Sequence, residues 1–422
     1  MIIMAEKSVT LNNAVVLDVV SGKHLPDHRV VISGNQIEKV EPVHDRALTP
    51  EYGEVIDVMG KTVMPGLCDA HVHVTAWTPD LSEVMRSSPS YTTARAAEIL
   101  EGMLMRGFTT VRDGGGADYG LARAVNEGYI NGPRILFCGH ALSQTGGHGD
   151  LRGRGEQIVE GLNYSVSLGH ICDGVSEVRQ ACREEIRKGA THIKLMLSGG
   201  AASPTDRISN TQFSEEEIRA AVEEAGMAGL YCMGHAYTNR AVHRALECGV
   251  RSLEHCNLID ESSVELFVKH NAYMVPTLVT YESMTREGIE AGFPPELKRK
   301  LDEVSEGGSK ALAFACKAGV KIVYGTDLLG KMHKYQLDEF ALRAEIQKPI
   351  DIIRSATCTA AELFNESGTT GVVAQGARAD LLVVDGDPLE DIGCLQDPET
   401  CIKAIIKDGV FCKNILPTAP RV

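Results

Sequence analysis

The stretch VMPGLCDAHVH, residues 63–73, decides the fold of this chain. It is a short apolar run that ends in His71 and His73, with one residue between them. Alternate side chains of a β-strand face the same side, so both imidazoles are expected to project in one direction. The run therefore predicts a strand that carries two histidines at its carboxyl end.

Short apolar runs and helical segments alternate over the centre of the chain. The helical segments, such as residues 91–107 and 214–229, have Ser or Thr near their starts and Gly at their ends. This alternation is typical of a parallel sheet, and eight strands with intervening helices match a (β/α)8 barrel. The sequence thus predicts an α/β fold with a TIM barrel over residues 63–365. The eight runs are residues 66–74, 108–116, 134–139, 192–200, 231–236, 252–256, 272–278 and 321–327.

The two ends of the chain have a different texture. VTLNNAVVLD (9–18) near the start, and ADLLVVDGD (379–387) and CIKAIIKDGVFCK (401–413) near the end, are short β-rich stretches separated by turns. Neither end is long enough to bury a core alone. We therefore expect residues 1–62 and 366–422 to pair into one small β-sandwich domain.

A long gap, residues 279–320, separates the last two strands of the predicted barrel. Its stretch GIEAGFPPELKRK (288–300) is predicted to be a loop. Long connections after barrel strands lie on the active-site face, so this segment is a candidate lid or pocket wall.

The bulk composition argues against several kinds of partner. The chain has 422 residues and a formal net charge of −15 at pH 7. Nucleic acids and anionic membranes attract basic surfaces, so neither is expected as the main partner. No apolar run reaches the ~18 residues of a membrane span, and the N-terminal apolar stretch is too short for a signal peptide. The 12 cysteines form no CxxC pair, which favours reduced thiols and a cytoplasmic protein.

The predicted strand ends carry side chains that bind metals or react. Catalytic groups of these barrels come from strand ends at one face, so residues far apart in sequence are expected to converge there. A single histidine at such a position is more often packed or hydrogen-bonded than a ligand, but six residues at five strand ends favour a metal site. They are His71, His73, Lys194, His235, His255 and Asp327.

Lys194 is the most informative member of this set. It lies inside the apolar stretch IKLML (193–197), where an ammonium is costly to desolvate. A lowered pKa would leave a neutral amine that reacts with carbon dioxide. The product is a carbamate, whose two oxygens can bridge two metal ions.

The ligands predict two divalent metal ions, with zinc favoured and manganese or iron left open. One ion would be held by His71, His73 and Asp327, and the other by His235 and His255, with the lysine carbamate between them. Two such metals make a bridging hydroxide available at neutral pH. The aspartate would accept a proton from it and pass that proton to the leaving nitrogen as general base and acid.

These residues together resemble the amidohydrolase superfamily. The likeness rests on VMPGLCDAHVH, on the lysine and two later histidines, and on GTD (325–327), while GARADLLVVDGDP (376–388) resembles the segment that returns to the sandwich. LSQTGGHGD (142–150) and HIKLMLSGG (192–200) are similar to a narrower group of imidazolonepropionase-like proteins and metal-dependent Xaa-Pro dipeptidases, the prolidases. Imidazolonepropionases use a single metal without a bridging lysine, so Lys194 implies the binuclear, amide-hydrolysing branch.

Four further residues are candidates for contact with the substrate. His140 follows the third run, where it would hydrogen-bond the substrate carbonyl and steady the oxyanion. Tyr237 shares a face with the fifth-run histidine, and its hydroxyl would bind a carboxylate. His148 lies in the Gly-rich stretch GGHGD, and Ser198 closes the fourth run. For each, the alternative is a packing or capping role. Arg112 and Asp113 are expected to support the site through an internal ion pair.

The leading hypothesis is a dipeptidase of the Xaa-Pro type that releases a C-terminal amino acid. A related hydrolase of an N-acyl amino acid or a mycotoxin-like amide, and an imidazolonepropionase-type ring hydrolase, remain alternatives. A non-catalytic metal-binding barrel is a further alternative, which the complete ligand set disfavours. The expected partner is a small-molecule substrate, and a homo-oligomer is expected only because symmetric assemblies are common.

Overall fold

The ends of the chain build one β-sandwich, as the sequence predicted. The structure is a computed structural model, which describes residues 8–43, 52–156 and 167–416. The strands of the terminal sheet are β1 (Val9–Asp18), β2 (Lys23–Ser33), β3 (Gln36–Pro42), β4 (Glu54–Asp57) and β5 (Thr62–Pro65), with β16 (Leu381–Val384), β17 (Ile402–Lys407) and β18 (Val410–Asn414) from the other end of the chain.

The two ends are interleaved within this sheet. Its order is β18-β17-β16-β5-β1-β2-β3, and β4 pairs with β1. β5 runs parallel to β1 and antiparallel to β16, so it joins the N-terminal and C-terminal strands. Leu11, Val16, Val63, Leu381 and Ile406 are buried in one cluster. Both ends therefore contribute to a core that neither could form alone.

The centre of the chain forms the predicted barrel. Each of the eight apolar runs contains or overlaps a strand, and two short strands that were not predicted, β9 and β10, follow the third. The strands are β6 (Leu67–Val72), β7 (Phe108–Asp113), β8 (Arg134–Phe137), β9 (Ala141–Ser143), β10 (Gly169–Ile171), β11 (Ile193–Met196), β12 (Cys232–Thr238), β13 (Ser252–Leu258), β14 (Tyr273–Val275) and β15 (Lys321–Ile322).

Backbone hydrogen bonds join these strands into a closed barrel. One sheet has the order β6-β7-β8, and the other has the order β10-β9-β11-β12-β13-β14-β15. The amide of Ala70 donates to the carbonyl of Tyr324 at 2.8 Å, and the amide of Thr191 donates to the carbonyl of Phe137 at 2.8 Å. All six residues of β6 are buried, as expected for a strand covered on both faces.

Thirteen α-helices occur in the described residues, and most alternate with the barrel strands. None of these helices is both long and apolar enough to cross a membrane. The helices are α1 (Leu81–Arg86), α2 (Pro89–Met105), α3 (Tyr119–Asn126), α4 (Gly174–Arg187), α5 (Glu215–Met227), α6 (Asn239–Glu247), α7 (Glu261–Lys269), α8 (Leu278–Ala291), α9 (Lys298–Ser305), α10 (Gly308–Ala318), α11 (Asp338–Ala344), α12 (Pro349–Ser355) and α13 (Cys358–Leu363).

The prediction of a loop over residues 288–300 is wrong, because most of this stretch is helical. α8 continues to Ala291, a 3-10 helix covers Pro295–Leu297, and α9 begins at Lys298. The signals for a break were real but local. Gly292 ends α8 with a φ of 109°, and Pro295 occupies the first position of the next helical turn, where proline is tolerated.

The chain divides into two compact units, residues 1–68, 103–110 and 343–422, and residues 69–102 and 111–342. Residues 343–365 thus group with the chain ends, whereas the sequence analysis assigned them to the barrel. The domain bounds 1–62 with 366–422, and 63–365, remain a prediction. Their outermost parts, such as residues 1–7 and 417–422, lie outside the described residues. All twelve cysteines are free thiols.

Candidate active site

One cavity lies among the residues at the carboxyl ends of the barrel strands. Its empty space measures ≈ 690 Å³, including the part open to solvent, and ligand sites commonly measure ~300–1,000 Å³. All six predicted metal-binding side chains line it, so the structure brings together residues from five strand ends. They are His71, His73, Lys194, His235, His255 and Asp327.

Three of these side chains form a group that could hold one metal ion. Asp327 Oδ1 lies 3.4 Å from His71 Nε2 and 3.2 Å from His73 Nε2. One ligand atom from each of the three residues lies within 4.8 Å of the others. Two imidazoles and a carboxylate are a donor set that suits zinc and related divalent ions.

The second ring nitrogen of each histidine is held by the protein. His71 Nδ1 lies 2.9 Å from Glu254 Oε2, and His73 Nδ1 lies 2.9 Å from the carbonyl oxygen of Gly115. Both acceptors favour the ring proton on Nδ1, which would leave Nε2, the atom facing Asp327, to bind a metal ion. This is the arrangement that metal-binding histidines commonly show. Burial opposes protonation of His73, but its contact with Asp327 raises the pKa of that ring.

His235 and His255 form a second pair of rings, with centroids 4.7 Å apart. His255 Nδ1 contacts Thr277 Oγ1 at 2.8 Å, and His235 Nε2 lies 3.2 Å from the carbonyl oxygen of Gly199. Burial lowers the pKa of His235 well below its ordinary value and that of His255 to about 3. Both rings are therefore neutral at pH 7, the form that binds metal.

Lys194 extends from β11 and is almost completely buried. Burial lowers the pKa of its amine, although the negative charges of Glu254 and Asp327 oppose the shift. The amine lines the same cavity as the histidines. Burial thus shifts the amine towards the uncharged, nucleophilic form, which carbamate formation requires.

Asp327 is fixed by the backbone of the neighbouring strand. Its amide donates to the carbonyl of His71 at 2.7 Å. The preceding Thr326 donates through its hydroxyl to Asp69 Oδ2 at 2.6 Å. Burial alone would raise the pKa of Asp327, but His71, His73 and His255 together lower it below its ordinary value. The group is a carboxylate at neutral pH.

Two candidate ligands and the residue that contacts one of them have the left-handed backbone conformation that L-residues rarely adopt, as does Cys256 with a φ of 57°. The φ angles are 73° at His255, 51° at Asp327 and 48° at Thr277. For a β-branched residue such as Thr277 this value is a genuine outlier. Strain of this kind persists where surrounding structure enforces it and clusters at functional sites. Here it accompanies two predicted ligands and the residue that contacts one of them.

Glu254 is an essential part of this arrangement that sequence reasoning missed. It is fully buried on β13, and besides His71 it accepts hydrogen bonds from Arg112 Nη2 at 3.0 Å and Ser252 Oγ at 2.6 Å. Arg112 therefore pairs with Glu254 rather than with its neighbour Asp113, which instead accepts backbone N–H groups, including that of Val74 at 2.8 Å. A carboxylate inside the apolar run SLEHC was the available signal.

Two of the four predicted substrate contacts line the cavity. His148 stacks on His235, with centroids 4.2 Å apart and an interplanar angle of 25°. Tyr237 is buried beside His255, and its hydroxyl accepts a hydrogen bond from Tyr281 at 3.0 Å. Both side chains thus lie beside the candidate metal ligands.

The other two lie elsewhere. His140 is directed to α4, where its Nδ1 lies 2.8 Å from Glu185 Oε1, and it is not among the residues that line the cavity in the described part of the chain. Ser198 is buried, and its hydroxyl donates to the carbonyl of Gly199 at 2.9 Å and accepts from the amide of Tyr237 at 3.1 Å. Neither side chain is among those that line the cavity in the described residues, and a substrate contact by either stays a prediction. The strand-end rule that suggested them does not extend into the irregular chain that follows β8 and β11.

The rest of the cavity wall comes from α8 and from aliphatic side chains. α8 contributes Thr280, Tyr281 and Met284, so the segment between β14 and β15 does form a pocket wall. The aliphatic residues are Leu81, Leu151, Leu168, Met196 and Leu329. The cavity therefore offers both candidate metal ligands and apolar surface.

Comparison with known proteins identifies the family. The model of the Amidohydrolase family matches residues 62–411. The chain belongs to the amidohydrolase family. Among solved amidohydrolases, a prolidase in complex with N-methylphosphonate-L-proline is 48% identical with a TM-score of 0.94, covering 97% of this chain and 100% of that one. A Xaa-Pro dipeptidase with bound methionine in its active site is 28% identical with a TM-score of 0.85, again covering 97% and 100%.

A curated relative is also similar over most of the chain. Ochratoxinase from Aspergillus niger is 34% identical over 367 residues, which cover 83% of this chain and 76% of the relative. The predicted resemblance to prolidase-like amidohydrolases and the predicted fold are confirmed. The protein is a hydrolase that acts on C–N bonds.

Proposed function

We propose that this amidohydrolase is a binuclear metal-dependent dipeptidase that cleaves Xaa-Pro-type substrates and releases the C-terminal amino acid. The observation that carries the proposal is the meeting of all six predicted ligands at one cavity, with a buried lysine amine among four histidines. The likeness to a prolidase over nearly the whole chain supports the substrate class.

The candidate ligands fall into two groups according to which of them lie close together. His71, His73 and Asp327 would hold the first, and His235 and His255 the second, with a carbamate on Lys194 shared by both. When bound, a pair of zinc ions would supply a water of lowered pKa and a Lewis acid for the scissile carbonyl. The amide bond is stable in water, so both effects are needed.

The chain's own residues then move the proton. Asp327 is a carboxylate at the edge of the cavity, so its free oxygen accepts a proton from the attacking water and delivers it to the leaving nitrogen. That transfer matters because an amine anion is a very poor leaving group. His148 lines the same cavity. Its Nδ1 donates to Ser203 Oγ, which itself donates to Asp206, so Nε2 keeps a lone pair and would accept a hydrogen bond from the substrate.

The remaining wall would select the substrate. The hydroxyl of Tyr237 accepts from Tyr281, so its own proton is left to donate to a substrate carboxylate. The aliphatic side favours an apolar acyl group, since burying such a group there removes apolar surface from water. A dipeptide with an apolar first residue and a free C-terminal carboxylate fits both features.

A panel of Xaa-Pro, Xaa-Arg and N-acyl amino acid substrates tests the proposal with the zinc-loaded protein. We expect turnover of Xaa-Pro dipeptides and none above background for Asp327→Asn. If no member of the panel is hydrolysed faster than by the metal-free protein, the dipeptidase assignment is refuted.

A second candidate is hydrolysis of an N-acyl amino acid or a mycotoxin-like amide. The ochratoxinase relative and the aliphatic wall favour it, because a bulky acyl group would occupy that wall. The same panel decides between the two by the ratio of kcat/KM values. Imidazolonepropionase-type ring opening is the third alternative, and a metal content near one ion per chain would favour it.

A further inference from the structure

Lys300 connects α9, which follows the cavity-lining helix α8 in the chain, to the turn that follows β11. It lies on α9, and its side chain is only 12% exposed. Its ammonium donates to the carbonyls of Gly200 at 2.9 Å and Ser203 at 2.8 Å, and to Asp206 Oδ1 at 2.8 Å. All three N–H donors of the lysine are thus directed to one turn, residues 200–206, almost a hundred positions earlier in the chain.

The same turn holds the ring of His148. His148 Nδ1 lies 2.9 Å from Ser203 Oγ, which in turn donates to Asp206 Oδ1. The other carboxylate oxygen of Asp206 accepts from the amide of Gly200 at 3.1 Å and from Gln212 Nε2 at 3.0 Å. Asp206 is therefore the centre of the turn, and Lys300 is its cationic partner.

The turn also contacts the imidazole directly. A Cβ at position 200 would overlap the ring of His148, so only glycine permits this approach. On its other face the ring stacks on His235. His148 is consequently held between a candidate metal ligand and a turn whose position depends on a buried ion pair.

We propose that Lys300 is a positioning residue, which acts through Asp206 and Ser203 to fix His148 in the active cavity. The inference rests on the proposed function, since it assumes that His148 contacts the substrate. In this proposal the function of α9 is to carry Lys300, which holds the turn at residues 200–206. α8 and α9 belong to one segment, so the wall that carries Tyr281 and the turn that holds His148 are tied to each other.

The charge of Lys300 should matter more than its bulk. Asp206 is almost completely buried, and a buried carboxylate without its cation is strongly unfavourable. The turn would rearrange to bring water or another donor to Asp206, and the ring of His148 would move with it. A displacement of about 1 Å at a catalytic group can cost about 10²-fold in rate.

Lys300→Met tests the proposal, with Lys298→Met as the matched control, because Lys298 is an exposed lysine on the same helix. For Lys300→Met we expect kcat to fall by about 10²-fold with KM changed less than threefold and with metal content unchanged. Lys298→Met should retain wild-type kcat and KM. In Lys300→Ala, added ethylamine should restore part of kcat in a saturable manner, because it supplies the missing ammonium.

Ser203→Ala keeps the inference testable if the lysine variants fold poorly, since it removes the hydroxyl between His148 and Asp206 without removing the ion pair. It should lower kcat in the same way at nearly unchanged Tm. The proposal would be overturned if Lys300→Met and Ser203→Ala both retain kcat within threefold of the wild type. It would also be overturned if the loss of kcat follows a loss of metal and ethylamine does not restore it in Lys300→Ala. If no substrate is found, the proposed function fails, whereas a crystal structure of Lys300→Met still decides whether His148 moves.

Discussion

Replacement of Glu254 by glutamine should weaken metal binding although the residue touches no metal. One carboxylate oxygen accepts from His71 Nδ1 at 2.9 Å, and the other accepts from Arg112 at 3.0 Å and Ser252 at 2.6 Å. In each of these contacts a carboxylate oxygen of Glu254 is the acceptor. A glutamine side chain has one acceptor oxygen and one NH2 group, so it can satisfy only one of the two faces.

Either orientation of the amide is unfavourable. If the oxygen faces Arg112, the NH2 group faces His71 and drives the ring proton to Nε2, the atom that should bind the metal. If the oxygen faces His71, the NH2 group meets the donors of Arg112, and a buried guanidinium loses its counter-charge. Breaking a buried pair in this way costs roughly 3–5 kcal/mol, and loss of a partner behind a metal-binding histidine costs about 10–100-fold in metal affinity.

Chelator competition with zinc measures this effect, and thermal unfolding of the metal-free protein measures the cost to stability. Glu265→Gln is the control, because Glu265 is an exposed carboxylate on α7. We expect Glu254→Gln to have a zinc Kd raised by about 10–100-fold and a lower Tm. A zinc Kd equal to that of the control would refute the argument that Glu254 sets the tautomer of His71.

Three further predictions concern the substrate, the protons and the lysine. Tyr237→Phe should raise KM by about 10-fold or more, since a hydrogen bond to a charged group contributes roughly 1.5–3 kcal/mol. The control Tyr119→Phe, at an exposed position on α3, should leave KM unchanged. An unchanged KM in Tyr237→Phe would exclude the hydroxyl as a carboxylate contact. Burial lowers the pKa of His148 to about 4 and that of His255 to about 3. Below pH ~6.5 the unfolded chain therefore binds more protons than the native one. The free energy of unfolding of the metal-free protein should fall by about 1.4 kcal/mol per pH unit for each of these histidines as the pH falls towards 4. Urea unfolding at pH 7, 6 and 5 checks this, and a stability independent of pH would contradict it. Lys194→Ala should bind one zinc ion or none and lose activity, measured by elemental analysis and the dipeptide assay; two tightly bound ions in this variant would show that the lysine is not a shared ligand.

The barrel, and the meeting of six candidate metal ligands at one cavity, could be predicted from sequence because two simple rules apply to them. Side chains alternate along a strand, which explains why His71 and His73 project together, and the carboxyl ends of parallel strands meet at one face of a barrel. For residues such as His235 and Asp327, their position in an apolar run was enough to predict that they lie at this face of the barrel. The rules hold because barrel strands are regular and buried.

The parts that could not be predicted depend on irregular chain or on long-range partners. His140 and His148 both follow β8, and only the path of the chain through β9 decides that the second of them reaches the cavity. The importance of Glu254 depends on Arg112, which is 142 positions away. α8 and α9 were hidden by the break at residues 292–295, whose Gly and Pro residues end one helix and begin the next.

The central claim is that the amine of Lys194 carries a carbamate shared by two metal ions. A crystal structure of catalytically active protein, grown with zinc and bicarbonate and measured at the zinc absorption edge, tests it directly. We predict two anomalous peaks about 3.5–4 Å apart and continuous density from the lysine nitrogen to a planar group between them. An unmodified lysine beside a single peak, in crystals whose protein hydrolyses the substrate, would contradict the account.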